Sequence, residues 1–212
     1  PTERAEFQAA KESEIQNWIK TGTISTILRH QIPEEQILRC RWILTWKPID
    51  NAGQEDSIQQ NAKTHKAKAR LVVLGYLDPR IEELPRDSPT LNKISRMLAL
   101  QVIASHAWQL RSFDIKAAFL QGQPQADRIT AIDPVPELRR ALNLQTSEVC
   151  KLNKSAYGLI DAPYLWYCAL VSELMNLGFE QSPFDPCLMI LRSYDERTQQ
   201  TKLEGVLGIH VD

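Results

Sequence analysis

KAKARLVVLGY, residues 66–76, is the stretch on which the fold turns. Its first half alternates Lys66, Lys68 and Arg70 with Ala67 and Ala69, and its second half becomes continuously apolar through Leu71, Val72 and Val73. Side chains of a strand alternate between its two faces, so the three cations share one side and the alanines the other. Lys63 and His65 extend the positive character, and no acid occurs from 61 to 70. Taken alone, such a face is most simply a solvated strand surface; given a partner, it is a cationic rail suited to phosphates. Upstream, RWILTWK at 41–47 is a second short β-rich run, and residues 48–60 have the Asn, Asp, Gly and Gln content of a loop. Residues 40–76 are therefore expected to form an antiparallel strand pair.

Outward from that pair, Phe7, Ile15, Trp18 and Ile19 fall on one face of a helix over 3–20, with Thr21-Gly22 as its stop. Met97, Leu98, Leu100, Val102 and Ile103 predict a buried helix over 95–107, and the alternation at 108–113 predicts a strand that delivers Asp114 at its end. A short helix is expected within 134–148 and a strand at 149–152. Pro163 at a helix start, Trp166, Leu170, Leu174 and Leu177 at helical spacing, and Gly178 as stop mark a further helix. Residues 188–191 and 203–211 read as two strands across a polar loop. Helices and strands in this irregular order predict an α+β layer architecture.

The 212 residues carry 43% hydrophobic side chains and a net charge of −1, which suits a globular chain with a sizeable core. A pI near 6.5 argues against a surface that is basic throughout, although a local stripe survives within a neutral sum. No apolar run reaches the length of a membrane span, and the first twenty residues are too charged for a signal peptide. The four cysteines, at 40, 150, 168 and 187, lack metal-site spacing and are expected to be reduced thiols. Pro at position 1 and a strand-like ending at Gly208-Ile209-His210-Val211-Asp212 suggest a piece of a longer polypeptide.

Two acids stand at predicted strand ends, Asp114 and Asp212. Rigidly held carboxylates on adjacent strands make an oxygen-rich seat for a hard divalent ion, the requirement of metal-assisted phosphoryl transfer. From the acids alone, a solvated strand-end Asp or a turn cap is the simpler account.

The order of short motifs adds a resemblance. EFQAAKESEI, RWILTWK, KAKARLVVLGY, SPTLNKISRMLAL, FDIKAAFLQG, VCKLNKSAYGLIDAP with Trp166, LGFEQSPFDPCL and GIHVD together resemble the reverse transcriptase of Ty1/copia-type retrotransposon Pol polyproteins over nearly the whole chain. That resemblance implies reverse-transcriptase fingers and palm, with an antiparallel palm sheet backed by helices and the chain truncated inside the catalytic hairpin. Residues 1–107 would be mainly fingers with a lead-in helix and 108–212 mainly palm, the thumb and ribonuclease H being absent.

The activity it implies is RNA-directed DNA polymerase, transferring nucleotides to a primer 3′-hydroxyl by a two-metal reaction. Asp114 and Asp212 would be catalytic metal ligands, with the Ile115 backbone a second contact, on two Mg²⁺ that Mn²⁺ could replace. Lys68 and Arg70 would bind the incoming triphosphate, ahead of Lys66. Phe119 would exclude a ribose 2′-hydroxyl, although it reads equally well as a core aromatic, and Gly158 would give backbone room at the nucleotide.

The implied partners are an RNA template, a nucleic-acid primer, deoxynucleoside triphosphates, and the integrase and ribonuclease H portions of a polyprotein, with no membrane. The setting would be intracellular, in a cytoplasmic particle or the nucleus. Departures from the family pattern are His210 for Tyr, Ile160-Asp161 for Lys-Gln, and Tyr164 for Arg, each removing a polar group expected near substrate. The segment alone is expected to be inactive, and a noncatalytic nucleic-acid-binding remnant of the same fold is the alternative.

Overall fold

A computed structural model describes residues 3–49, 64–123 and 128–211. Lys63, Asp212 and most of the expected loop over 48–60 lie outside the described residues. Helix α1 (Glu3–Lys20) leads into strands β1 (Ile24–Leu28), β2 (Ile37–Pro48) and β3 (His65–Val73), then helix α2 (Lys93–Ser105). Strand β4 (Ala131–Asp133), helix α3 (Pro136–Ala141), strand β5 (Glu148–Leu152) and helix α4 (Ala162–Asn176) follow, and β6 (Phe179–Gln181), β7 (Leu188–Asp195) and β8 (Gln200–Gly208) close the order.

Five strands pair as β1-β5-β4-β2-β3, and β6-β7-β8 form a second sheet. The α+β expectation holds. The larger sheet is mixed, because β2 and β4 run parallel while β2–β3, β4–β5 and β1–β5 are antiparallel. The strand pair expected over 40–76 is present, in a register that sets Lys47 opposite Lys66, Thr45 opposite Lys68 and Ile43 opposite Arg70.

Two of the apolar clusters among the described residues join these layers. In one, Ile15 and Trp18 of α1 meet Leu38, Leu71, Val73, Ile132 and Leu138, so the helix covers the apolar side of the β2–β3 ribbon. In the other, Trp166, Tyr167, Val171 and Leu174 of α4 pack with Cys187, Met189, Ile209 and Val211. Phe119 packs against both. Burying whole aromatic and aliphatic side chains at about 1.5–3 kcal/mol each is what offsets the loss of chain freedom.

Three expectations need correction. Residues 108–113 form no strand: a strand requires backbone partners, none among the described residues pairs with this segment, and Leu110 and Phe113 stand 66% and 73% exposed. The last strand ends at Gly208 rather than 211, where the Ile209 N–H turns to the Cys187 carbonyl at 2.8 Å and the Leu91 N–H donates to the Ile209 carbonyl at 3.2 Å. Helix α2 is not buried, since Met97 and Leu98 are 58% and 61% exposed. The short helix expected within 134–148 is present, from Pro136 to Ala141.

Candidate nucleotide site

The site is built on the outer edge of β3, the last strand of its sheet. Its even residues Lys66, Lys68 and Arg70 lie on one face while Ala67, Ala69, Leu71 and Val73 are buried on the other, as the alternation predicts. Donors on the strand's outer edge are satisfied in turn. Leu71 N–H donates to Glu14 Oε1 at 3.4 Å, Val73 N–H to the Tyr157 carbonyl at 2.7 Å, and Gly75 N–H to the Gly158 carbonyl at 3.2 Å. Unpaired donors on a buried edge are costly, so these contacts fix where Tyr157 and Gly158 sit.

Gly158 is held at φ +90°, and a Cβ there would fall 2.1 Å from the Val73 carbonyl oxygen. The room that Gly158 gives to backbone is thus occupied by β3. A nucleotide is not required to explain the glycine.

Tyr157 gathers the remaining candidates. The Arg70 guanidinium lies 5.7 Å from its ring centroid, and the Phe119 ring meets it edge-on at 5.8 Å. Both separations fit favourable cation–π and aromatic contacts. Burial raises the Tyr157 phenol above its ordinary range, the Glu14 and Asp114 carboxylates add to that rise, and Arg70 opposes it. The Asp114 carboxylate is the weakest of these influences.

Asp114 itself is exposed on a segment without regular structure, followed by a turn in which Ala117 takes left-handed φ 52°. That turn starts the short 3₁₀ helix Ala118–Leu120 carrying Phe119, whose carbonyl accepts the Ser155 hydroxyl. A non-glycine residue in this conformation stores strain that neighbouring structure must hold. Ile115 packs against the second core.

Burial first, then the adjacent Arg70 and Lys47 charges, pushes the Lys68 ammonium below its ordinary pKa, with Glu14 acting against them. Glu14 is nearly buried and accepts the Trp18 indole N–H at 3.3 Å. Burial raises its carboxyl, opposed by those hydrogen bonds and by Arg70 and Lys68. Sequence reading passed over Glu14 and Tyr157; the signal for Glu14 was a lone acid on the apolar face of α1, one turn before Trp18.

A hard divalent cation takes oxygen ligands. The exposed Asp114 carboxylate and the Ile115 carbonyl fit magnesium in kind, while among the described residues no group of three His, Cys, Asp or Glu side chains gathers. Asp212 lies outside those residues, so its approach to Asp114 is not described. His210 is exposed between buried Ile209 and Val211.

Asp161 corrects an expectation. Rather than marking a group missing near substrate, it is fully buried, accepting from Arg128 at 2.6 Å, and Arg128 also pairs with buried Asp78. Burial raises the Asp161 carboxyl, Arg128 opposes the rise, and among the described residues its Oδ1 has no hydrogen-bond partner. This triad ties the exit of β3 to the start of α4.

The β3 edge is thus joined to the glycine turn, and the Arg70 guanidinium and the Phe119 ring meet at Tyr157. The chain belongs to the family described as reverse transcriptase (RNA-dependent DNA polymerase), whose model matches residues 42–201. It is similar to the retrovirus-related Pol polyproteins from transposons RE2 and RE1 of Arabidopsis thaliana, at 31% and 32% identity over 76% and 74% of this chain. It is also similar to that from transposon TNT 1-94 of Nicotiana tabacum, at 27% identity over 90% of this chain. The match spans 10–13% of the length of these relatives. No solved structure gives a match to this chain. The resemblance to Ty1/copia-type Pol polyproteins is borne out.

Proposed function

We propose that this chain is the fingers and palm of an RNA-directed DNA polymerase, roughly 1–107 fingers and 108–212 palm, acting within a Pol polyprotein on an RNA template, a primer and deoxynucleoside triphosphates. The observation that carries the reading is the convergence of Arg70 and Phe119 on Tyr157. Family membership supports the activity, and the one-sided cationic face of β3 supports a phosphate ligand.

In this reaction the primer 3′-hydroxyl oxygen attacks the α-phosphorus in line, a new P–O bond forms, the bond to the bridging oxygen breaks, and pyrophosphate departs. Lys68 and Arg70 hold the triphosphate oxygens through charge-assisted hydrogen bonds, and the Tyr157 ring fixes the direction of the Arg70 guanidinium. Phe119, braced between the two cores, lies beneath the sugar. Asp114, Asp212 and the Ile115 carbonyl would hold magnesium, which when bound activates the hydroxyl and neutralises the leaving pyrophosphate. The 212-residue segment is inactive by itself on this reading.

Primer extension on an RNA template by the full-length protein tests the proposal. Lys68→Gln and Arg70→Gln are expected to raise the KM for deoxynucleotides about tenfold each, as loss of a charged hydrogen bond requires. Absence of extension by the unaltered protein would leave the noncatalytic binding remnant as the better reading, and extension indifferent to both substitutions would remove Lys68 and Arg70 from the nucleotide site.

A further inference from the structure

We infer that Asp185 is a positioning residue for the polymerase reaction: its buried carboxylate ties together the two backbone groups that hold Ile209, and so sets the path on which the chain leads to Asp212. The inference rests on the polymerase reading above and adds to it a residue outside the β2–β3 ribbon.

Two stretches singled out in the sequence, SPTLNKI at 88–94 and SPFDPCL at 182–188, meet at this carboxylate. Asp185 is 2% exposed, and its two oxygens serve different segments. Oδ1 accepts the Cys187 N–H at 2.9 Å, at the entry to β7, and Oδ2 accepts the Asn92 N–H at 3.0 Å, at the start of α2. The Ser95 and Asn92 side chains bond to it as well. Burial works against the ionised form, but these hydrogen bonds outweigh it, so the carboxyl lies below its ordinary range and stays charged at neutral pH.

Both anchored segments grip Ile209. The Cys187 carbonyl accepts the Ile209 N–H at 2.8 Å, and Leu91, next to Asn92, donates its N–H to the Ile209 carbonyl at 3.2 Å. Leu91 also lies tight against Gly208, where an added Cβ would fall 2.6 Å from its Cδ2. Ile209 stands three residues before Asp212 in the chain. An ionised carboxylate has acceptors only, so it can take N–H groups from both sides, whereas an amide in its place would turn an NH₂ toward one of them. Misplacing a reacting group by about 1 Å can cost on the order of 10²-fold in rate, which gives such an anchor its value.

Hydrogen exchange read by mass spectrometry on the full-length protein, with primer extension on the same preparation, tests this. In Asp185→Asn the amides of 88–92 and 205–211 are expected to exchange about tenfold faster, as loss of a charged hydrogen bond requires, while those of 192–201 at the far end of the β7–β8 hairpin keep their rates. The kcat for incorporation should fall on the order of 10²-fold with the KM for primer-template unchanged. Ser95→Ala removes one of the bonds and should move both readouts the same way by less, so it decides the matter if Asp185→Asn fails to fold. Gly178→Ala, a strained change at the end of α4, should leave kcat as it is, which separates positioning from a general loss of stability. Unchanged exchange at 205–211 in both Asp185→Asn and Ser95→Ala would overturn the inference, as would faster exchange with kcat unaltered. Absence of extension by the unaltered protein would instead overturn the polymerase reading, and this inference with it.

Discussion

Val73 and Tyr157, far apart in sequence, are joined by a 2.7 Å hydrogen bond from the Val73 N–H to the Tyr157 carbonyl. Through it the cationic strand and the glycine turn become one surface. Arg70, three residues before Val73, then lies over the Tyr157 ring, and Phe119 abuts the same ring.

Gly158 should be the least replaceable glycine of this region. A methyl group there meets the Val73 carbonyl at 2.1 Å with φ at +90°, whereas Gly178 has the same φ but no atom closer than 3.8 Å to the added carbon. Gly158→Ala is expected to cost more than ~2 kcal/mol and Gly178→Ala about 1 kcal/mol, read from urea unfolding of the two variants. Equal losses would mean that the junction with β3 is loose.

Arg128 neutralises two buried carboxylates at once. Removing it by Arg128→Met strands both charges and should destabilise the fold by about 3–5 kcal/mol. Denaturant titration checks this, and a loss under 1 kcal/mol would show the triad to be hydrated.

Glu14 and Asp161 both have raised carboxyl pKa values, from starting values of 4.5 and 3.8. The folded state then keeps protons that the unfolded chain has released. Their contribution to stability is full below the unfolded values and declines as pH rises through the folded ones. Glu14→Gln retains an acceptor for Leu71 N–H and the Trp18 indole while removing the titration. Its stability should fall less steeply than that of the unaltered chain as pH climbs above about 4.5. Parallel curves from thermal melts across that window would exclude Glu14 as a contributor.

Phe119 has two duties on this account. Phe119→Ala should relax discrimination against ribonucleotides in the full-length enzyme, and it should also cost roughly 3 kcal/mol of stability, because the ring packs against both cores. Phe119→Tyr keeps the ring and should keep selectivity. Unaltered sugar selectivity in a folded Phe119→Ala protein would remove the gate role.

Much of this was legible because two periodicities are unambiguous: the alternation of Lys66, Lys68 and Arg70, and the helical spacing of Trp166 and Leu174 with Gly178 after them. Elements too short to show a period were not legible, among them β4 and β6, three residues each. The alternating pattern at 108–113 misled for the opposite reason, since a strand depends on a partner that local sequence does not reveal. Asp161 misled because a family position was taken as a role, and its burial partner Arg128 lies 33 residues away. Asp114 was read from its motif alone, while the meeting of Arg70 and Phe119 at Tyr157 came from tertiary contacts.

The most direct measurement is primer extension on an RNA template by the full-length protein carrying Asp114→Asn, with template binding followed on the same preparation. The account predicts that incorporation falls by at least ~10³-fold while binding changes little, since the carboxylate acts on the reacting phosphate through its metal ligand role and not on the template. Extension at an undiminished rate would contradict it.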